Sequence, residues 1–344
     1  MILRIPLYVV AVLLSSLHVY ASSGDRADNY RNCVSKCESV ICTDSTGTSS
    51  LSLALRLAQW TCTDDCKYRC MHTVTDYALA NGIAVQQYHG KWPFWRFAGM
   101  QEPASVLFSI LNLLCHVRGA RLIQRVIPDH NPVKNYYLRF AFVSVNAWLW
   151  SSVFHTRDLP ATEKLDYFSA ALAILYALYY TVVRLFHLYP SDNSRLSLAS
   201  KPARKLSGIY ILWTGICVAA YILHVSYLTL LPRFDYTYNI VFNLVVGMIH
   251  NFLWIVYALP SSLPSIRRFP FRPRSYRPGY ASKAALFVLL TTLATSLELL
   301  DFPPWKRIID AHSLWHSSTV PIAALWYEFL VQDAQDEGWR VQRS

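Results

Sequence analysis

Residues 165–187 read LDYFSAALAILYALYYTVVRLFH, and nothing between Asp166 and Arg184 carries a charge. A run of this length matches the roughly 20 residues that a helix needs to cross a bilayer. Six more apolar stretches lie at about 99–117, 136–155, 207–228, 237–258, 281–300 and 313–331. The stretch at 99–117 opens among Gln101, Glu102 and Pro103. The one at 313–331 contains Pro321, which should kink it. The pattern predicts an all-α membrane protein built as a bundle of seven transmembrane helices.

Composition agrees. Hydrophobic residues make up 53% of the 344 and charged ones 15%, with 11 Trp, 22 Tyr and 16 Phe, a membrane profile. A net charge of +11 would suit a nucleic-acid binder. The basic residues fall instead in short runs between apolar stretches, the pattern that orients a membrane protein, so nucleic acid is excluded as a partner. Arg118, Arg121, Arg125 and Lys134 follow the first span. Arg195, Lys201, Arg204 and Lys205 follow the third, and Arg267, Arg268, Arg272, Arg274, Arg277 and Lys283 the fifth. The alternate loops hold Arg157, Lys164, Arg233, Lys306 and Arg307. The richer side is cytosolic, which puts the N-terminus in the lumen and the C-terminal tail in the cytosol. The Pro- and Arg-rich residues 264–280 read as a cytosolic loop near anionic headgroups.

Residues 1–21 have Arg4, an apolar core and small residues at Val19 and Ala21, the marks of a signal peptide. Six of the eight cysteines follow it: Cys33, Cys37, Cys42, Cys62, Cys66 and Cys70. A translocated segment favours disulfides over a zinc knuckle. Cys-x-x-x-Cys spacing places both sulfurs on one helix face. Two such helices packed antiparallel pair positions that rise on one and fall on the other by nearly equal steps. The nested set Cys33–Cys70, Cys37–Cys66 and Cys42–Cys62 satisfies that rule. Cys115 and Cys217 sit alone in apolar stretches as buried thiols. The aromatic residues 88–97 read as an interfacial belt. The domains are then the signal peptide at 1–21, a disulfide-stapled luminal helical domain at 22–98, the seven-span domain at 99–331 and a cytosolic tail at 332–344.

Ionisable groups in or beside spans are expensive and mark function. Span two ends at the lumen in NAWLWSSVFHTRD, with Ser151 and His155 one turn apart. Span three starts at the lumen with Asp166 in its first turn. Span seven starts there in DAHSLWHSS, with His312 and His316 one turn apart. Each feature alone has an ordinary reading: a chance pair of histidines, an acid at a helix start, a serine that packs helices. Topology brings all five to one depth. Three imidazoles with an open position form a catalytic Zn2+ site. Such an ion lowers the pKa of a bound water to about 7 and polarises a carbonyl. Ser151 would hydrogen-bond the water or the oxyanion, and Asp166 would take or hold the proton. Asp158 and Asp310 are candidate partners for a histidine ring nitrogen, and His224 is a candidate pocket residue. Glu102, Asn146 and Glu298 would brace helices or line the pocket, and His250 is structural.

The stretches QEPASVLFSILN, NAWLWSSVFHTRD and DAHSLWHSS resemble the post-GPI-attachment lipid-remodelling family of membrane hydrolases. That family sits in a superfamily with alkaline ceramidases and progestin/adiponectin-type receptors. The likeness covers nearly the whole chain after the signal peptide. It implies a Ser, an Asp and three His, which fall on Ser151, Asp166, His155, His312 and His316. Ser152 adds an ambiguity, but only Ser151 shares the face of His155. The resemblance further implies phospholipase A2-type hydrolysis of the sn-2 acyl ester of the GPI phosphatidylinositol, giving lyso-GPI. GPI-anchored proteins and membrane lipids would be the partners, in the endoplasmic reticulum membrane or alternatively the Golgi. Two other readings stand beside it: a ceramidase-like zinc amidase using the same five residues, and a non-catalytic seven-span receptor or folding factor.

Overall fold

The computed structural model describes residues 22–42, 51–189, 207–298 and 300–339. The signal peptide expected at 1–21, the basic cluster from Arg195 to Lys205 and the last five residues of the expected tail, 340–344, lie outside them. Among the described residues the chain is helical, with isolated bridges in place of strands. Its described residues divide into two compact units: those up to 103 with 301–310, and those from 104 to 300 with 311–339. The short segment 301–310 thus belongs with the N-terminal unit, although it follows six of the seven long helices in sequence.

The first unit holds α1 (Ser23–Arg26), α2 (Asp28–Ile41), α3 (Leu53–Leu57) and α4 (Cys62–Ala80). Thr61 caps α4, accepting from the Asp64 amide while the Asp64 carboxylate accepts from the Thr61 amide. Disulfides join Cys33 to Cys70, Cys37 to Cys66 and Cys42 to Cys62, each with its Cα atoms 5.7 Å apart. One repeated spacing is what two antiparallel helices in constant register produce.

A buried polar layer holds the loops against α4. Arg96 donates to Asp65 at 2.5 Å while its guanidinium lies 3.8 Å from the Tyr68 ring centre and 4.5 Å from that of Trp60. His72 stacks on Trp95 with centroids 4.0 Å apart. Gln87 and Trp92 both donate to Asp301, tying in the 301–310 segment. Within the aromatic stretch 88–97, Tyr88 and Phe94 are buried and Trp92 donates to Asp301, while Trp95 and Phe97 stay exposed. An aromatic run has the same sequence appearance whether its rings meet headgroups or each other.

The second unit is a bundle of seven long helices: α5 (Pro103–Val126), α6 (Lys134–Thr156), α7 (Pro160–Leu185), α8 (Gly208–Leu230), α9 (Tyr236–Ala258), α10 (Ser282–Glu298) and α11 (Ala311–Gln335). Five of the segments are long and apolar enough to cross a membrane: α5, α7, α8, α9, and α10 with the short turn before it. Their outer faces are greasy. Ile209, Leu212, Leu223 and Leu230 of α8 are 65, 63, 68 and 83% exposed, a surface that suits lipid and not water.

α6 and α11 have the length but fall short on apolarity. Both are lined with hydroxyls and histidines, and the candidate site is built from them. The helix α11 runs through Pro321 to Gln335, so residue 333, read from sequence as tail, is helical and fully buried. The aromatic core of the bundle centres on Trp326, stacked on Phe287 at 3.9 Å and meeting Trp254 edge-on at 4.9 Å.

In the loop 259–278 one arginine packs inward. Arg268 is buried and donates to the carbonyls of Tyr257, Leu259 and Tyr276. Ile266 and Phe269 join the core beside it. One arginine of the cluster thus knits the loop to α9, while Arg267, Arg274 and Arg277 stay exposed.

Candidate metal centre

The last turns of α6 carry Ser151 and His155, and the first turns of α11 carry His312 and His316. Each pair spans four residues, so each projects from a single face. The structure brings the three histidines together. The His312 Nε2 lies 3.3 Å from His155 Nε2 and 3.0 Å from His316 Nε2. All three offer a ligand atom within 4.8 Å of one another. Around a zinc ion with Zn–N bonds of about 2.0–2.1 Å, tetrahedral ligands stand about 3.3 Å apart. The donor set therefore fits such an ion in both chemistry and spacing.

The opposite ring nitrogens are held. His312 Nδ1 lies 2.8 Å from the Glu298 carboxylate at the end of α10. His316 Nδ1 lies 2.9 Å from Ser109 Oγ on α5. Such outer partners fix the tautomer and the aim of a ligating imidazole. Ser109 Oγ is also 2.9 Å from Ser151 Oγ, and the Asn112 amide donates to the His316 carbonyl at 2.8 Å. Ser109, Ser151, His155 and His316 are all buried. Trp148 meets His316 edge-on at 5.2 Å, and Trp315 lies 5.5 Å from His312. Indole rings thus wall the cluster. The result is a nitrogen triad, buried at His155 and His316 and a third exposed at His312, with a hydroxyl pair beside it, suited to holding a cation near a polar substrate group.

The other expected residues are placed as follows. Asp166 lies on α7, half-buried, one turn before Ser169, which accepts from Asn146 of α6 at 3.0 Å. Asp158 sits half-buried in the connection between α6 and α7. Asp310 is buried and is grouped with the first unit. His224 is buried among rings, 4.0 Å from Phe242 and 5.4 Å from Tyr238, an aromatic setting on α8 and α9. Ser152 donates to the Trp148 carbonyl, a backbone contact that sets it apart from Ser151. His250 is buried and accepts from Trp254 at 3.1 Å within α9.

Sequence reasoning missed Ser109 and did not assign Glu298 to a histidine. A signal for Ser109 exists. Ser105, Ser109, Asn112 and His116 recur at helical spacing through an apolar span, and all four are buried. A polar stripe inside a membrane-length helix points inward, toward whatever needs it. Glu298 carries no comparable signal, because its contact depends on how α10 meets α11.

Comparison with known proteins gives concordant results. The chain is 40% identical over 334 residues to Protein PER1 homolog of Schizosaccharomyces pombe, covering 94% of this chain and 92% of that protein. It is 38% identical over 334 residues to the human GPI-specific phospholipase A2-like PGAP3, covering 96% and 94%. To the Xenopus tropicalis protein of the same name it is 41% identical over 320 residues, covering 92% of each. Residues 52–334 match the Per1-like family, a stretch that takes in α3, α4 and the bundle into the last turn of α11, and the chain belongs to that family.

Proposed function

We propose that this chain remodels GPI anchors by hydrolysing the sn-2 acyl ester of the GPI phosphatidylinositol, releasing a fatty acid and leaving lyso-GPI. The observation that carries the reading is the convergence of His155, His312 and His316 beside Ser151. The names of the relatives supply the substrate. In this reading all seven long helices cross the membrane, the N-terminal unit is luminal after loss of the signal peptide, and the C-terminus is cytosolic. The protein resides in the endoplasmic reticulum or Golgi membrane, where GPI-linked proteins occupy the luminal leaflet.

His155, His312 and His316 would hold a zinc ion, with Glu298 and Ser109 fixing two of the rings. When bound, the ion polarises an ester carbonyl and acidifies a water molecule. Ser151 donates its hydroxyl hydrogen to the ester oxygen on which negative charge develops. Asp166 takes a proton from the attacking water and returns it to the departing glycerol oxygen. Water oxygen bonds to the acyl carbon, the ester C–O bond breaks, and the glycerol oxygen leaves as an alcohol. The indole rings of Trp148 and Trp315 lie against His316 and His312 and would restrict the water that reaches them.

The test uses the full-length protein in lipid nanodiscs with a GPI lipid labelled at sn-2. The expected results are fatty-acid release that stops on chelation and returns with zinc, and loss of both metal and release in His316→Ala. Retention of metal and activity by His316→Ala would overturn the site. Release from ceramide in place of GPI would overturn the substrate.

A further inference from the structure

We infer that Ser109 of α5 is a positioning residue of this site, a hydroxyl relay that fixes His316 and directs the Ser151 proton toward the substrate. The inference rests on the function proposed above. It starts from one fully buried oxygen with two partners, His316 Nδ1 at 2.9 Å and Ser151 Oγ at 2.9 Å. Three elements meet there: α5, α6 and α11.

The direction of the bonds follows from counting hydrogens. His316 turns Nε2 to His312 and the cation site, so that nitrogen must keep its lone pair. Its single hydrogen then resides on Nδ1 and is donated to Ser109 Oγ. Ser109 has one hydrogen of its own, and Ser151 Oγ is the other oxygen in reach. Ser109 therefore donates to Ser151. Ser151 spends an acceptor site on Ser109 and keeps its own hydrogen to give elsewhere, one helical turn from His155. The chain of bonds runs from ring to hydroxyl to hydroxyl in one sense. It makes Ser151 a donor to developing negative charge.

The neighbours fit this assignment. Asn112, one turn along the same face of α5, donates to the His316 carbonyl at 2.8 Å. Both side chains of α5 thus grip the same residue of α11, from its ring and from its backbone. The grip needs a hydroxyl at 109: alanine would leave both the His316 ring and Ser151 without their shared partner.

The experiment compares full-length wild type, Ser109→Ala, Ser151→Ala and the double variant in nanodiscs, with zinc affinity measured by chelator competition alongside turnover. Ser109→Ala is expected to weaken zinc binding about 10-fold and to lower kcat on the order of 10- to 100-fold, with KM for the GPI lipid unchanged. With zinc saturating, the double variant is expected to turn over no more slowly than Ser151→Ala alone. Unchanged zinc affinity in Ser109→Ala, or losses in kcat that multiply in the double variant, would overturn the relay. If wild type binds zinc yet releases no fatty acid, the proposed function fails, and zinc affinity alone decides the role of Ser109 at His316.

Discussion

His72 is held as a neutral ring from both sides. Its Nε2–H donates to the Phe94 carbonyl at 3.1 Å, so Nδ1 is left to accept from the Arg307 guanidinium at 2.8 Å. Burial, against the partial support of the Phe94 carbonyl, and the Arg307 charge bring its pKa down to about 4. The unfolded chain has an ordinary histidine near 6.5, so below that pH it binds a proton that the native state refuses. The contribution of His72 to stability is therefore complete above about pH 6.5 and is lost as pH falls toward 4. Thermal unfolding of the intact protein should show a midpoint that declines between these limits. His72→Gln, which cannot titrate, should flatten the part of that decline that lies above the range of ordinary carboxylates. An equal decline in both proteins would refute the assignment. The contrast with His312 and His316 is instructive at the same scale. Those rings turn one nitrogen each to a common point, whereas both nitrogens of His72 are spent on protein partners.

At the scale of elements, α6 and α11 show why the site was legible. Ser151 with His155, and His312 with His316, are local spacings, and a helix converts four residues into one face without help from the rest of the chain. The same holds for the cysteines of α2 and α4, where register alone selects the observed pairing. Contacts between helices were not legible in this way. Glu298 meets His312 only because the end of α10 reaches the start of α11. The close crossing of α5 and α11 is another case. A Cβ added at Gly119 would fall 2.3 Å from the Tyr327 ring, whose hydroxyl lies 2.8 Å from His116 Nδ1. Small residues let membrane helices approach at such points. Gly119→Ala should force Tyr327 off His116 and cost about 1–3 kcal/mol. Unfolding in a graded denaturing detergent would measure it. Gly215→Ala, on an open face with nothing within 4 Å, should cost far less.

At the scale of the whole bundle, its far end is fastened by a charge pair with no exposure at all. Arg184 of α7 donates to both oxygens of Asp333 on α11, at 2.6 and 2.7 Å. The same carboxylate accepts from Tyr257 of α9 at 2.6 Å and from Tyr137 of α6 at 3.3 Å. The remaining Arg184 nitrogen donates to the carbonyl of Arg268, which in turn holds the loop after α9. Four helices and a loop thus share one ion pair. Sequence reading took residue 333 as tail and gave Arg184 no partner, because nothing local joins positions 149 residues apart. Removing one partner strands the other charge where neither water nor lipid headgroups reach it. Asp333→Ala should therefore destabilise the bundle by about 3–5 kcal/mol. Replacing both partners with apolar residues of similar size, as in Arg184→Met with Asp333→Leu, should recover much of that loss, since it removes the stranded charge together with its cost. Detergent unfolding of the two variants beside wild type decides the point. If the double variant proves as unstable as Asp333→Ala, the tyrosines and the loop, and not the charge pair, are what the carboxylate chiefly holds.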